Sequence, residues 1–126
     1  MTVSTLHTMI RVRSLEAALA FYEAAFGYAT RARRPGPEGT EIAFLRLPGE
    51  AVELQLCEVL EGPYPPPQPR AMHLAYRVSD LTAGIARAVG AGAALERGPY
   101  TLPSGSHVAF LTDPDGHAIE LVQKAH

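Results

Sequence analysis

Four side chains in this sequence have the types and the spacing of metal ligands. Glu53 lies 46 positions after His7, and Glu120 lies 47 positions after His73. Each half of the chain therefore offers one imidazole and one carboxylate at nearly the same separation. Two imidazoles, two carboxylates and water suit an octahedral divalent ion such as Ni, Co, Fe, Mn or Zn. A single His or Glu on a half-exposed strand is more often solvated surface, so this prediction depends on the repetition of the pair.

Two arginines repeat together with the histidines. Arg11 and Arg77 each follow a histidine of the set by four positions, so on a strand they share its face. An arginine beside a metal pocket can bind a substrate carboxylate through two hydrogen bonds. For Arg77, an ion pair with a neighbouring glutamate is an equally good interpretation.

The remaining candidates have weaker support. Cys57 shares the predicted strand face of Glu53, but no basic residue lies close enough in sequence to activate its thiol. His107 has no partner in the first half of the chain, His117 follows a turn glycine, and His126 is the last residue of the sequence. We therefore predict an inert cysteine and three histidines that are not metal ligands.

The candidate histidines begin two copies of one phrase. HTMIRVRSL starts at residue 7 and HLAYRVSDL at residue 73, with His, Arg-Val and Leu at matching positions. Each copy begins with apolar alternation, which is typical of a strand. Each ends at a helix-start signal, Ser14 in the first copy and Ser79 or Asp80 in the second.

Both copies lead into the same order of predicted elements. After the first helix, which Gly27 ends, we expect a loop at residues 31–39 and then a hairpin of EIAFLRL and AVELQL. After the second helix, we expect strands near residues 94–96, at HVAFL and at HAIELV, the last two joined by a turn at residues 113–116. Each half is thus predicted to contain a strand, a helix and two or three further strands.

These halves predict a single domain, residues 1–126, with an internal repeat of about 65 residues. The repeats are residues 5–60 and residues 71–125, joined by a Pro-rich linker at 61–70. Proline at this density favours an extended chain of about 3.1 Å per residue. Such a linker is long enough to carry the second repeat onto another subunit.

The bulk composition excludes several classes of protein. The formal net charge of the 126 residues is -2, and the arginines are scattered, so we expect no nucleic-acid partner. No run of about 18 apolar residues is present, so we expect no membrane partner. The sequence opens without a signal-peptide pattern and has one cysteine, which favours a reducing, cytoplasmic location.

The motifs HTMIRV, AFY followed by FG, VELQL, HLAYRV and AFLTDPDGHAIELV resemble glyoxalase I (lactoylglutathione lyase) of the vicinal-oxygen-chelate superfamily. This is the glyoxalase/bleomycin resistance/dioxygenase superfamily, and the resemblance extends over essentially the whole chain. It implies an α+β fold in which two tandem βαβββ modules form a curved mixed sheet around a metal pocket. It also implies a homodimer whose subunits share their sites.

The resemblance assigns roles to the candidate residues. His7, Glu53, His73 and Glu120 would be the ligands of one divalent metal ion, with nickel or cobalt favoured because a histidine occupies the first ligand position. Glu120 would be the catalytic base and Glu53 its pseudo-symmetric counterpart. The implied substrate is the hemithioacetal of methylglyoxal and glutathione, which is converted to S-lactoylglutathione through an enediolate.

Substrate recognition departs from the family at several positions. Arg11 matches the arginine that holds the carboxylate of the peptide, and Arg70 lies near a second expected basic position. Cys57 replaces an asparagine, the basic residue expected within residues 100–106 is missing, and Arg77 is an additional charge. These departures leave open an epimerase or a ring-cleaving dioxygenase with another substrate, or a metal-free protein that sequesters an antibiotic or another small molecule.

Overall fold

The computed structural model of the protein describes residues 1–68 and 71–125. The chain divides into two compact units, Met1–Pro65 and Pro66–His126, which we call module 1 and module 2. Each module contains one helix and one mixed four-stranded sheet. Within the described residues, no helix is long and apolar enough to cross a membrane.

Module 1 has the element order βαβββ. Its elements are β1 (His7–Val12), α1 (Leu15–Phe26), β2 (Ala29–Gly36), β3 (Thr40–Arg46) and β4 (Glu53–Val59). The strand order is β1-β4-β3-β2, in which β1 and β4 are parallel and the other pairs are antiparallel. The first and last strands of the module are therefore direct neighbours.

Module 2 repeats this topology. Its elements are β5 (His73–Arg77), α2 (Leu81–Ala91), β6 (Ala94–Thr101), β7 (His107–Thr112) and β8 (Ala118–Gln123). The strand order is β5-β8-β7-β6, and β5 and β8 form the parallel pair. The α+β fold of two βαβββ modules that the sequence predicted is confirmed.

Both helices begin where the predicted capping residues lie. The side chains of Ser14 and Asp80 accept hydrogen bonds from the backbone N–H groups of Ala17 and Ala83. A cap of this kind satisfies one of the free N–H groups of the first helical turn. The choice left open between Ser79 and Asp80 is thus resolved for Asp80.

A second hydrogen bond fixes each helix to the last strand of its module. The Leu15 N–H donates to Glu58 Oε1 at 2.6 Å, and the Leu81 N–H donates to Gln123 Oε1 at 2.7 Å. Glu58 lies on β4, and Gln123 lies on β8. The acceptor of this hydrogen bond is a carboxylate in module 1 and an amide in module 2. In both modules the bond fixes the start of the helix to the strand that carries candidate ligands.

One predicted loop is in fact a strand. Residues 29–36 form β2, which pairs with β3 along its length, whereas we expected a loop at residues 31–39. This strand is at the edge of its sheet and is mostly exposed, so its Arg and Pro residues need no apolar partner. The strand was not predicted because its sequence lacks the apolar alternation that is typical of a strand. β6 is also longer than the predicted stretch at residues 94–96.

Candidate functional site

Module 2 brings one predicted imidazole and carboxylate together. His73 Nε2 lies 3.5 Å from Glu120 Oε1. On the ladder, His73 lies opposite Ala118 and Glu120 opposite Ala75, so the pair is diagonal across the parallel strands. Donor atoms 3.5 Å apart can both reach one ion through bonds of about 2.1 Å. The chemistry and the separation of this pair therefore fit a divalent metal.

An aromatic ring flanks the pair. Phe110 on β7 lies directly opposite Glu120, and its ring contacts the His73 ring edge-to-face with centroids 6.3 Å apart. The Arg97 guanidinium lies 4.2 Å from the centroid of the Phe110 ring. The ring limits the ways in which the imidazole can turn, and the Glu120 side chain beside it is 22% exposed.

Module 1 arranges its predicted pair differently. Glu53 is the first residue of β4, whereas the predicted strand AVELQL began two residues earlier, at Ala51. It lies directly opposite His7, and the next residues on the same face of β4, Gln55 and Cys57, lie opposite Met9 and Arg11. The carboxylate of module 1 is therefore level with its histidine, whereas Glu120 is two residues further along its ladder than His73.

Two arginines bind the Glu53 carboxylate. Arg31 donates from Nε to Oε2 and from Nη2 to Oε1, the latter at 2.9 Å, and Arg46 Nη2 lies 3.6 Å from Oε2. The Arg31 hydrogen bond is the main cause that lowers the pKa of Glu53. Burial opposes this shift, and the positive charges of Arg46 and His7 add to it. Glu53 is thus an ionised carboxylate that already has cationic partners.

A cavity of about 350 Å³ opens on the same sheet face of module 1. Arg11 Nη1 donates to Cys57 Sγ at 2.9 Å in its wall, and Cys57 is only 2% exposed. The cavity therefore holds the predicted imidazole, a guanidinium and a buried thiol, but Glu53 does not line it. Its lining residues are His7, Met9, Arg11, Pro37, Glu38, Thr40, Ile42, Gln55, Cys57, Val59, Pro63 and Pro65.

Gln55 is a lining residue that the sequence reasoning missed. It lies on the same face of β4 as Glu53 and, unlike Glu53, it lines the cavity together with His7. Strand alternation could have identified it, because residues two apart share a face. Gln55 was not predicted as a ligand because the candidate set contained only imidazoles and carboxylates.

The other candidates have separate positions. Arg77 is exposed at the end of β5 on the face of His73. His107 Nδ1 shares a hydrogen bond with Thr101 Oγ1 at 2.9 Å, away from the predicted ligands. Arg70 and His126 lie outside the described residues. Among the residues that are described, no three His, Cys, Asp or Glu side chains form a cluster that could hold a metal ion.

Comparison with known proteins identifies the family. The profile of the Glyoxalase/Bleomycin resistance protein/Dioxygenase superfamily matches residues 4–121. The chain therefore belongs to this superfamily, as its motifs indicated. A lactoylglutathione lyase from Neisseria meningitidis is 32% identical over 123 residues, which cover 94% of this chain and 89% of that protein.

Solved structures with the same fold include both enzymes and binding proteins. A point mutant of glyoxalase I from Zea mays is 26% identical with a TM-score of 0.77, covering 93% of this chain. The chain spans only 44% of the length of that maize protein. TnmS3, an antibiotic binding protein from Streptomyces sp. CB03234, is 28% identical with a TM-score of 0.77 and 99% coverage of both chains.

Proposed function

We propose that this chain is a metal-dependent lyase of the glyoxalase I type. The substrate would be the hemithioacetal of methylglyoxal and glutathione, and the product S-lactoylglutathione. The observation that carries the proposal is the His73–Glu120 pair, whose donor atoms lie 3.5 Å apart on neighbouring parallel strands. Similarity to a lactoylglutathione lyase over 94% of the chain supports the choice of reaction.

The proposed metal ligands are His7, His73 and Glu120, with a fourth side chain from β4, either Glu53 or Gln55. Nitrogen and oxygen donors without a thiolate suit nickel or cobalt, and also zinc, iron or manganese. A divalent ion held by these residues would act as a Lewis acid that stabilises negative charge on the substrate oxygens.

Glu120 would move the proton. Its carboxylate accepts the proton from C1 of the hemithioacetal and returns it to C2, so the substrate gains and loses no atoms overall. Phe110, which lies opposite Glu120 on the neighbouring strand, would limit the access of water to this carboxylate and so favour return of the same proton.

Arg11 and the cavity of module 1 would bind the glutathione part of the substrate, through one of its carboxylates. A guanidinium binds a carboxylate through parallel N–H donors, and Arg11 already lines the cavity beside the histidine. Arg77, exposed on the histidine face of β5, would offer a second positive charge to the substrate. Cys57 fixes the Arg11 guanidinium through its thiol at 2.9 Å.

A second candidate function is binding of an antibiotic or another apolar small molecule without chemistry. The cavity wall contains Met9, Ile42, Val59 and prolines, and it has a thiol where a glutathione-binding asparagine was expected. Similarity to an antibiotic binding protein along the full length supports this alternative. An epimerase or a dioxygenase of the same superfamily would also use a metal but would act on another substrate.

Reconstitution separates these functions. The metal-free protein is loaded separately with Ni, Co, Zn and Fe(II), and thioester formation from methylglyoxal and glutathione is followed by its ultraviolet absorbance. We expect turnover with at least one metal and its loss in Glu120→Gln. His107→Ala is the matched control, because it removes a histidine of the same module that lies away from the proposed ligands.

Absence of turnover with every metal, or equal rates for Glu120→Gln and the unchanged protein, would contradict the lyase proposal. Tight binding of an apolar antibiotic by the metal-free protein, undiminished by His73→Ala, would then favour the binding function. We further propose a cytoplasmic homodimer, for which the test is the molar mass measured by light scattering during size-exclusion chromatography.

A further inference from the structure

We infer that Gln55, not Glu53, is the metal ligand that module 1 supplies beside His7, and that Glu120 is consequently the single catalytic carboxylate. This inference rests on the proposed function and sharpens it, because it decides between the two candidates for the fourth ligand. The grounds lie within each module, in the register of its strands. Three separate features give the same alignment of β4 with β8.

The parallel ladders give the first comparison. In module 2, Glu120 lies opposite Ala75, two residues beyond His73. In module 1, the residue two beyond His7 is Met9, and it lies opposite Gln55. The position of Glu53, opposite the histidine itself, is occupied in module 2 by Ala118.

The antiparallel ladders give the second comparison. Gln55 lies opposite Phe44 on β3, and Glu120 lies opposite Phe110 on β7. Both phenylalanine rings also carry arginine guanidinium groups above them, Arg34 at 4.4 Å in module 1 and Arg97 at 4.2 Å in module 2. Gln55 and Glu120 therefore have the same aromatic neighbour, as well as the same ladder position.

The helix caps give the third comparison. Glu58 and Gln123 accept hydrogen bonds from the first N–H of α1 and α2, so they occupy equivalent positions. Gln55 precedes Glu58 by three residues, and Glu120 precedes Gln123 by three residues. Counting from the cap thus also places Gln55 where module 2 has Glu120.

Contacts with arginine account for the carboxylate of Glu53 without a metal ion. Arg31 binds both of its carboxylate oxygens, and Arg46 adds a third contact. A carboxylate with two arginine partners would have to give up these contacts before it could bind an ion. Its side chain instead ties β2, which carries Arg31, to the beginning of β4.

The substitution of an amide for a carboxylate has a chemical consequence. An amide oxygen can bind a metal, but it cannot accept a proton from carbon at neutral pH, so Glu120 is left as the only general base among these residues. Inversion of a carbon centre commonly needs one base on each face. The chain therefore fits a proton transfer along one face of an enediolate, which is the lyase and isomerase class, better than an epimerase.

Metal binding tests the inference without using activity. Nickel is titrated into the metal-free full-length protein by calorimetry, comparing the unchanged protein with Gln55→Met, Gln55→Glu and Glu53→Gln. We expect Gln55→Met to weaken nickel binding about tenfold or more, as removal of supporting metal contacts does. We expect Gln55→Glu to strengthen it, because the new ligand is charged, and Glu53→Gln to change Kd by about twofold or less.

The reverse order, with Glu53→Gln weakening nickel binding tenfold and Gln55→Met leaving it unchanged, would overturn the inference and leave the lyase proposal standing. Nickel binding in the expected order without any thioester formation would support the ligand assignment and contradict the lyase. If the unchanged protein binds none of nickel, cobalt, zinc and Fe(II), both the ligand assignment and the lyase proposal are overturned. Thermal melting of each variant shows that the titrated protein is folded.

Discussion

The two modules share one topology, yet the helices that cover their sheets differ greatly in bulk. Seven positions after its first residue, α1 carries Tyr22, which is fully buried, whereas α2 carries Ala88, 1% exposed. Tyr22 also contacts the rings of Phe21, Phe26 and Tyr28. The same backbone path therefore tolerates a heavy core and a light one, and the strand ladders rather than the helices determine where the candidate ligands lie.

The modules also differ in how they use two positions on the last strand. We call residues 55 and 120 the inner positions and residues 58 and 123 the capping positions. Module 1 has Gln at the inner position and Glu at the capping position, and module 2 has the reverse. At these two positions each module thus has one carboxylate. In module 1 it caps the helix, and in module 2 it lies at the candidate metal site.

The largest expected effect tests the difference in core bulk. Tyr22→Ala should lower the free energy of unfolding by about 3–5 kcal/mol, because it leaves a large void among aromatic rings. Denaturation by urea, followed by circular dichroism, measures this loss. The matched control is Tyr100→Ala on β6, where the side chain is 48% exposed and the change should be within about 0.5 kcal/mol. Equal losses in the two variants would refute the comparison.

A smaller effect tests the capping positions. Glu58→Ala and Gln123→Ala should each lower the free energy of unfolding by about 1 kcal/mol, because each leaves the first N–H of a helix without its acceptor. Glu58→Gln should retain most of that stability, since module 2 uses an amide in the same way. Urea denaturation again supplies the measurement, with Glu50→Ala in the exposed β3–β4 turn as the control. A loss in one module alone would show that the joints are not equivalent.

The smallest effect appears in the pH dependence of stability. The pKa of Glu53 is lowered in the folded protein, chiefly by the Arg31 hydrogen bond. The ionised Glu53 side chain therefore contributes to the free energy of unfolding at pH values above its unfolded pKa of about 4.3. That contribution is lost as the pH falls through the lower folded pKa. Stability curves of the unchanged protein and Glu53→Gln should therefore converge at acidic pH. Ala118→Gln, at the equivalent position of module 2, should shift stability equally at all pH values.

Local signals in the sequence were sufficient for much of the fold. Ser14 and Asp80 indicated where the helices begin, and Asp113 and Gly116 indicated the turn between the last two strands, which a backbone hydrogen bond of 3.0 Å closes. Each of these features depends on residues that are close together in the chain. The repeat itself was visible because its two phrases share their spacing.

The register of the candidate site could not be obtained in this way. A shift of two residues along a strand preserves which side chains face the core, so Glu53 and Gln55 satisfy the same alternation. The spacings of 46 and 47 residues therefore looked equivalent, although Glu53 and Glu120 lie at different ladder positions. The Arg31 contact with Glu53 was also hidden, because it joins residues on two different strands that are far apart in the sequence.

The exchange of Glu and Gln between the inner and capping positions has a genetic consequence. The two amino acids have nearly the same shape, and their codons differ only in the first base. A single nucleotide change can therefore move a negative charge into or out of either position while the sheet keeps its packing. Directed evolution of this gene could sample every arrangement of charge at these positions, and could transfer the proposed catalytic carboxylate from one module to the other.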